Sequence, residues 1–407
     1  MDAAWPQNWP AQAVELHVFD PSGDVLLLLN RHLPKEDMTD YVDRKFSLPS
    51  QEDTEVVLAE DAAIPIEYSE PDAPEHGSEL NFARSYTPSL PSCSSSLAVS
   101  FSSPFEQLGL GSQPVQMRVS SKHLILASRT FRTSLNSFSA GHMLQTERNV
   151  TLTFPDEEAD VMIILLNIIH GQNMKVPRQV SLAMLTKLAA AVNYHCIQEA
   201  VELFSDIWME DLKKRPLPTS YTSEVLPWLF IFWVFRKKDG FKNMTRILHQ
   251  ESDDKLEDEA KSVPTIPASI ISTIQRNRTD GIKNLIQVIR DLITKYSGAD
   301  TLCNNDWWAC DASVLGMIIK SSAAIGVWPQ PNYMYPGLTY KAMVKRIQKI
   351  KVPVNCGNPR RPVSDDDDSD LHGIKELIKA SVRTIEDEMS GLELDRFLPT
   401  QDRARYL

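Results

Sequence analysis

The chain has 407 residues, of which 42% are hydrophobic and 24% are charged, a composition typical of a globular protein with two or three folded units. Its 42 basic and 54 acidic side chains give a net charge of −12, which argues against direct binding to a nucleic-acid backbone. The longest apolar run, Val225–Phe235, is far shorter than the roughly 20 residues of a membrane helix, so no membrane partner is expected. The N-terminus lacks the pattern of a secretory signal and the five cysteines are odd in number, which favours an intracellular place, cytoplasmic or nuclear.

The first predicted elements are two short strands near the N-terminus. Val14, Leu16 and Val18 alternate with polar residues, as in a strand with one buried face. Asp20-Pro21-Ser22-Gly23 has the composition of a tight turn, and the strand Asp24–Leu29 follows it. The pattern predicts a β-hairpin.

A long acidic segment follows. Between Arg31 and Gln113 there are five basic and fifteen acidic residues, together with the Ser/Pro tract SYTPSLPSCSSSLAVSFSSP. Apolar residues there follow neither a helical nor a strand period. Residues 31–113 are therefore predicted to be a disordered insertion, and the alternative is a folded acidic domain.

Sheet and helix patterns return after this insertion. Alternation predicts strands at Val115–Val119 and Val150–Phe154, and helical spacing predicts a helix over Lys122–Leu135. The segment Asp156–His170 begins with three acids at the positive end of the helix dipole and is apolar on every face beyond them, so it predicts a buried helix. A pair of packed helices is expected from Ser181 onwards.

These elements predict one discontinuous α+β domain, a small sheet capped by a helical cluster, from residues 12–30 and 114–214. Closing a loop of this length costs only ~2 kcal/mol more than closing a short one, so a compact domain can carry it. Residues 216–354 predict a helical C-terminal domain, and residues 355–407 predict an acidic tail with a terminal amphipathic helix.

The stretch Lys341–Arg361 contains seven basic residues and no acid. It is either a nuclear-import or phosphate-binding patch, or the solvated face of a helix that buries Val344, Ile347 and Ile350. The second interpretation is preferred, because the acidic run Asp365–Asp368 follows closely and would weaken the positive field.

Four strings resemble the BTB/POZ domain, particularly that of a fungal group of such proteins. They are DPSGDVLLLL, VQMRVSSKHLILASRTFRTSL, VTLTFPDEEADVMIILLNIIHG and VPRQVSLAMLTKLAAAVNYHCIQEAVELF. The resemblance covers about a third of the chain. It implies a BTB/POZ-like fold and a non-enzymatic protein–protein interaction module, which self-associates as a homodimer or acts as an adaptor. The long insertion departs from the typical domain, which has a short connection at this place.

The resemblance also implies which residues meet a partner. In the family, dimers form through the N-terminal strand region and the first helix, which correspond here to Val14, Leu16 and Val18 and to Leu124, Ala127 and Phe131. Family members that bind a cullin scaffold of a ubiquitin ligase carry a hydrophobic-x-acid motif. Here Leu144-Gln145-Thr146 lacks the acid and Glu147 is one position late, so the cullin adaptor ranks second. A transcription-associated regulator is a further alternative, although the chain lacks the usual zinc fingers.

No constellation in the sequence predicts catalysis, a cofactor or a metal site. Phosphate-binding loops and G-x-S-x-G are absent, and His123 is interpreted as a structural residue at a helix start. His195 and Cys196 are adjacent, so on a helix they point about 100° apart and cannot chelate one ion. Three cysteines form a weaker case, because their spacing is wide and no histidine is near. For Cys303, Cys310 and Cys356, buried thiols are the preferred interpretation, and a metal or redox pair is the alternative. Asp306 and Asp311 lie beside the first two of these cysteines in the sequence.

Overall fold

The structure is a computed structural model that describes residues 15–32, 112–140, 150–263, 266–303, 306–329, 335–353 and 372–398. The fold is mixed α+β. The predicted disordered insertion and the acidic run of the tail lie almost wholly outside the described residues, so both stay predictions.

Four strands and twelve α-helices are described. The strands are β1 (Glu15–Val18), β2 (Val25–His32), β3 (Ser112–Val119) and β4 (Val150–Glu158). The first seven helices are α1 (Ser121–Ala127), α2 (Arg129–Ala140), α3 (Ala159–Ile169), α4 (Leu182–His195), α5 (Gln198–Leu212), α6 (Val225–Val234) and α7 (Lys238–Glu251). The others are α8 (Leu256–Ala260), α9 (Ala268–Tyr296), α10 (Trp308–Ala324), α11 (Tyr340–Ile347) and α12 (Ile374–Glu388). Short 3₁₀ turns lie at Asn173–Lys175 and Leu394–Arg396.

The strands form one sheet in the order β1-β3-β2-β4. β1 runs parallel to β3 with Glu15 opposite Val115, and β2 runs parallel to β4 with Val25 opposite Val150. The segments on both sides of the predicted insertion therefore share one sheet, and this prediction is confirmed. Every residue of Val25–Leu29 is buried, as expected for a strand that is covered on both faces.

The predicted hairpin is wrong, because β3 lies between β1 and β2. The turn itself forms, since the Gly23 amide donates to the Asp20 carbonyl over 2.9 Å. β3 then packs directly against it: a Cβ at Gly23 would stand 2.6 Å from the Val119 carbonyl oxygen, and Arg118 Nε donates to the Gly23 carbonyl over 3.0 Å. The absence of a side chain at Gly23 leaves the space that β3 needs.

Two of the predicted helices have different boundaries. The helix expected over Lys122–Leu135 is divided at Ser128, whose hydroxyl donates to the His195 carbonyl over 2.6 Å and accepts from the Phe131 amide over 3.0 Å. The buried helix expected over Asp156–His170 is present as α3, but its acids belong to β4. Residues 156–158, which the sequence predicts as the start of the helix, are therefore the last residues of the strand.

A first hydrophobic core is built from described residues between Phe19 and Ile274, together with Leu392, Leu394 and Leu398. Helix α6 lies inside it with eight of its ten residues buried. The domain boundary predicted near residue 216 stays a prediction, although the helices before and after it share this core. Among the described helices, none combines the length and apolar character that crossing a membrane demands.

A second core packs α10, α11 and α12 against the later part of α9. α9 has 29 residues, and it contributes Ile270 and Ile274 to the first core and Ile282 and Ile289 to the second. Helix α12 lies where the sequence predicts a terminal amphipathic helix. Its buried residues are Ile374, Ile378, Val382 and Ile385, whereas Leu377 is exposed.

Candidate functional site

Strand β1 is an outer strand of the described sheet and carries apolar side chains into solvent. Leu16 and Val18 are 55% and 45% exposed, whereas Glu15 and His17 are half-buried. Successive side chains of a strand point to opposite faces, so the two aliphatic side chains share one face. An outer strand also has backbone groups that can pair with another chain. Of the predicted contact residues, Leu16 and Val18 are therefore placed where a partner can reach them.

An ion-pair network fixes the other face of β1. Arg31, near the end of β2, binds Glu15 and also Asp160 of α3, the latter over 2.9 Å. His17 Nε2 lies 2.6 Å from the Glu15 carboxylate. Burial tends to raise the pKa of Glu15, but hydrogen bonds from His17 and Arg31 outweigh it and leave this pKa below its usual value. Glu15 is therefore ionised at neutral pH and ties the outer strand to its neighbours.

The residues predicted on the first helix are corrected by the structure. Leu124 and Phe131 have no exposed surface and are core residues, while Ala127 is half-buried. The apolar residue that α1 exposes is Leu126, at 81%. Helical spacing alone does not say which of several apolar residues faces the core, so sequence reasoning missed it. The other predicted contact residues, Val14, Leu144 and Glu147, lie outside the described residues.

His123 lies in the first turn of α1, and its ring centroid is 5.0 Å from that of His170. His170 is held at both nitrogens: Nδ1 donates to the Leu166 carbonyl over 2.9 Å, and Nε2 accepts from the Ser120 amide over 3.1 Å. Burial lowers the pKa of His170, and the neighbouring His123 lowers it further despite the bond to Leu166. The neutral His170 thus fixes the connection between β3 and α1, which is a structural role.

A buried imidazole–carboxylate pair joins α4 to β4. His195 has no exposed surface, and its Nε2 lies 2.7 Å from a Glu157 carboxylate oxygen. Its ring stacks on Phe131 at 4.7 Å between centroids and meets the edge of Phe154. Such a pair can orient a base, but this imidazole is enclosed by aromatic rings and the core. The sequence did not reveal the pair, because Glu157 looked like part of a helix start.

The predicted cysteine cluster is partly present. Cys303 and Cys310 are both buried, as the preferred interpretation predicts for these two residues. No histidine is near these cysteines in the sequence, but in the fold Cys310 Sγ lies 3.4 Å from Nε2 of His372, 62 positions later. Asp311 is buried as well, whereas Asp306 is exposed and Cys356 lies outside the described residues. Within the described ranges, no three Cys, His, Asp or Glu side chains are arranged to hold a metal ion.

Two further buried polar residues stand where the two cores meet. Arg278 of α9 donates to the Leu338 carbonyl over 2.6 Å and to the Gln275 side chain over 2.9 Å. His249 of α7 lies 3.3 Å from the Asn277 amide nitrogen, and burial lowers the pKa of His249 to about 4. Neither residue has a sequence signature that marks it as buried.

The described part of the basic stretch forms the solvated helix face that was preferred. Val344, Ile347 and Ile350 are buried, and the basic residues around them are exposed. Lys341 pairs with Glu251 over 2.7 Å. The hydrogen bond and charge of Lys341 outweigh burial and lower the pKa of Glu251. Phosphate binding stays an untested alternative.

Comparison with known proteins adds no family to this description. No family model, curated protein or solved structure matches the chain. The chain is therefore described by its own architecture, a mixed α+β fold with an apolar outer strand, and its BTB/POZ resemblance stays an expectation from the sequence.

Proposed function

We propose that this chain is a non-enzymatic protein–protein interaction module of the BTB/POZ type, which self-associates or serves as an adaptor. The observation that carries this proposal is the outer strand β1 with Leu16 and Val18 exposed on one face. Leu16 and Val18 are already about half buried, so covering the rest of each on an interface is favourable by about 1 kcal/mol per side chain, before the costs of association.

A second copy of the same chain is the partner that fits this strand best. Two copies of one outer strand can pair about a two-fold axis, so each Leu16 and Val18 meets its counterpart or a residue nearby. The Arg31 network holds β1 in place from the opposite face. A strand that is already ordered loses little conformational entropy when it binds.

The mass of the full chain in solution tests this proposal by sedimentation equilibrium. We expect the wild type to be a dimer and the double variant Leu16→Lys, Val18→Lys to be a monomer, because two ammonium groups would have to be desolvated at the interface. Met174→Lys is the matched control, since Met174 is 94% exposed outside the sheet, and this variant should stay dimeric.

A wild type that is monomeric at high micromolar concentration would remove self-association from the proposal. A double variant that stays dimeric and keeps the wild-type circular dichroism would show that β1 is not the contact.

A further inference from the structure

The end of the described chain, residues 391–398, lies on α7 as a short peptide lies on a helix. Its contacts follow one face of α7, on which Lys238, Lys242 and Thr245 recur at helical spacing. We propose that this face is a docking site for an acidic, leucine-bearing peptide segment of another protein, and that residues 391–398, here called the strap, occupy it in the free chain. The proposal uses none of the residues of strand β1, so it stands apart from the proposed self-association.

Three hydrogen bonds set the position of the strap on α7. The pairs are Leu392–Thr245 at 2.8 Å, Glu393–Lys242 at 2.7 Å and Asp395–Lys238 at 2.8 Å. In the first pair a backbone amide donates to a hydroxyl, and in the other two an ammonium group donates to a carboxylate. The partner on α7 moves back along the helix as the strap advances, so the strap runs antiparallel to α7.

The strap combines buried leucines with acids at the surface. Leu392, Leu394 and Leu398 are at most 8% exposed and belong to the first core. The acids and lysines of the two ion pairs are each 41–57% exposed. Apolar contact therefore holds the strap, and the lysine charges favour acidic residues between the leucines. The same contacts define the chemistry of a partner segment, in which leucines alternate with acids.

The strap can leave α7 without dissolving the second core. Helix α12 precedes the strap and buries its apolar face in the second core, whereas the leucines of the strap lie in the first core. Gly391 connects the two at a φ of +108°, and a Cβ there would collide with the Lys242 carbonyl. The leucine contacts that release of the strap breaks are therefore contacts with the first core.

The covalent connection decides which occupant wins. A strap joined to the protein by a short connection acts at an effective concentration of about 1 mM, so it weakens the binding of a free peptide of micromolar Kd by about 100–1,000-fold. The strap of a second copy makes the same contacts without this advantage, so exchange between copies is disfavoured. A segment of another protein that adds contacts beyond those of the strap can displace it.

Fluorescence anisotropy of a labelled peptide, GLELDRFL-amide, tests the site on the full chain. The double variant Glu393→Lys, Asp395→Lys, here called the opened variant, turns both ion pairs into repulsions at half-exposed positions. Its strap should loosen, while α7 keeps both lysines. We expect the peptide to bind the opened variant at least about tenfold more tightly than the wild type.

Two controls separate release of the strap from the change in net charge. Glu376→Lys, Glu388→Lys makes the same change of charge at exposed positions of α12, and it should bind the peptide as weakly as the wild type. Adding Lys238→Glu and Lys242→Glu to the opened variant restores both ion pairs with opposite sign. This combination should return the affinity for the peptide to the wild-type level.

An opened variant that keeps the wild-type circular dichroism but binds the peptide no more tightly than the wild type would overturn the proposal. Assembly of the opened variant into larger species than the wild type would show exchange of straps between copies and would exclude the partner segment. If the opened variant fails to fold, hydrogen exchange of the wild type decides. The strap amides should exchange at least about tenfold faster than those of α9, and equal protection would mean that the strap opens only with the whole fold.

Discussion

At the scale of single residues, the most informative feature is that polar groups are buried in pairs. His195 with Glu157, Cys310 with His372, and Arg278 with the Leu338 carbonyl each join elements far apart in the chain. A buried polar group costs free energy unless it is paired, so each of these contacts specifies which elements pack together.

The pair of His195 and Glu157 yields a stability prediction with a control at the next residue. Glu157→Ala leaves the His195 imidazole without its acceptor in the core and should lower the free energy of unfolding by about 2 kcal/mol. Glu158→Ala removes only a partly exposed contact with Lys187, and it should cost less than about 1 kcal/mol.

Urea unfolding of the variants measures the difference, and Glu157→Gln should recover part of the loss because its amide oxygen can still accept. Equal losses of unfolding free energy in the two alanine variants would show that the His195–Glu157 contact stabilises the fold no more than the partly exposed contact with Lys187 does.

At the scale of elements, the position of β3 depends on one glycine. The Val119 carbonyl approaches the turn so closely that any Cβ at Gly23 would collide with backbone.

Two glycine substitutions should therefore change stability in opposite directions. Gly23→Ala should lower the free energy of unfolding by about 2 kcal/mol, because the strand must move or the turn must distort. Gly316 lies in the exposed middle of α10, and a Cβ added there would have open space around it. Gly316→Ala should therefore raise the free energy of unfolding by about 0.5–1 kcal/mol. Thermal melts of the two variants provide the test, and a Gly23→Ala protein as stable as the wild type would contradict this account of β3.

The elements also show how far sequence reasoning reaches. Apolar periodicity located the strands and nearly all helices, because it is a local property. It did not give the strand order, which depends on contacts across about a hundred residues. One signal was available: the uninterrupted apolar run Val25–Leu29 is typical of a central strand, whereas a strand of an isolated hairpin alternates. The acids before α3 misled because they suit a helix start, whereas the pairing of β4 with β2 extends as far as Glu158.

Much of the candidate site could not be predicted for the same reason. Leu16 and Val18 were identified through a family resemblance and are exposed, but Leu124 and Phe131 are buried. The Cys310–His372 contact depends on how α12 packs against α10 and α9, and no spacing in the sequence encodes that.

At the scale of the whole molecule, two cores are joined through α9. His249 stands at this junction, in contact with Asn277 of α9. Burial lowers the pKa of His249 to about 4, well below its usual value of 6.5. The unfolded chain therefore takes up this proton first as the pH falls. The contribution of the neutral His249 to folding stability is fully present above pH 6.5 and is lost between 6.5 and about 4.

This shift predicts acid sensitivity of the whole fold. Between pH 7 and pH 4.5 the wild type should lose on the order of 2 kcal/mol more than His249→Gln, whose side chain does not titrate. Chemical unfolding at the two pH values measures both losses, and the variant corrects for the carboxylates that titrate in the same range. Parallel losses in the two proteins would mean that His249 is not neutral in the folded state.

The insertion of β3 between the first two strands has a consequence for synthesis on the ribosome. Glu15 of β1 pairs with Val115, one hundred positions later, and β2 pairs with β3 and β4. Neither N-terminal strand can meet its sheet partner until those later residues have left the exit tunnel. At about 5–20 residues per second the nascent chain waits several seconds with a strongly apolar strand unpartnered. Chaperone demand during translation should therefore concentrate on this first segment.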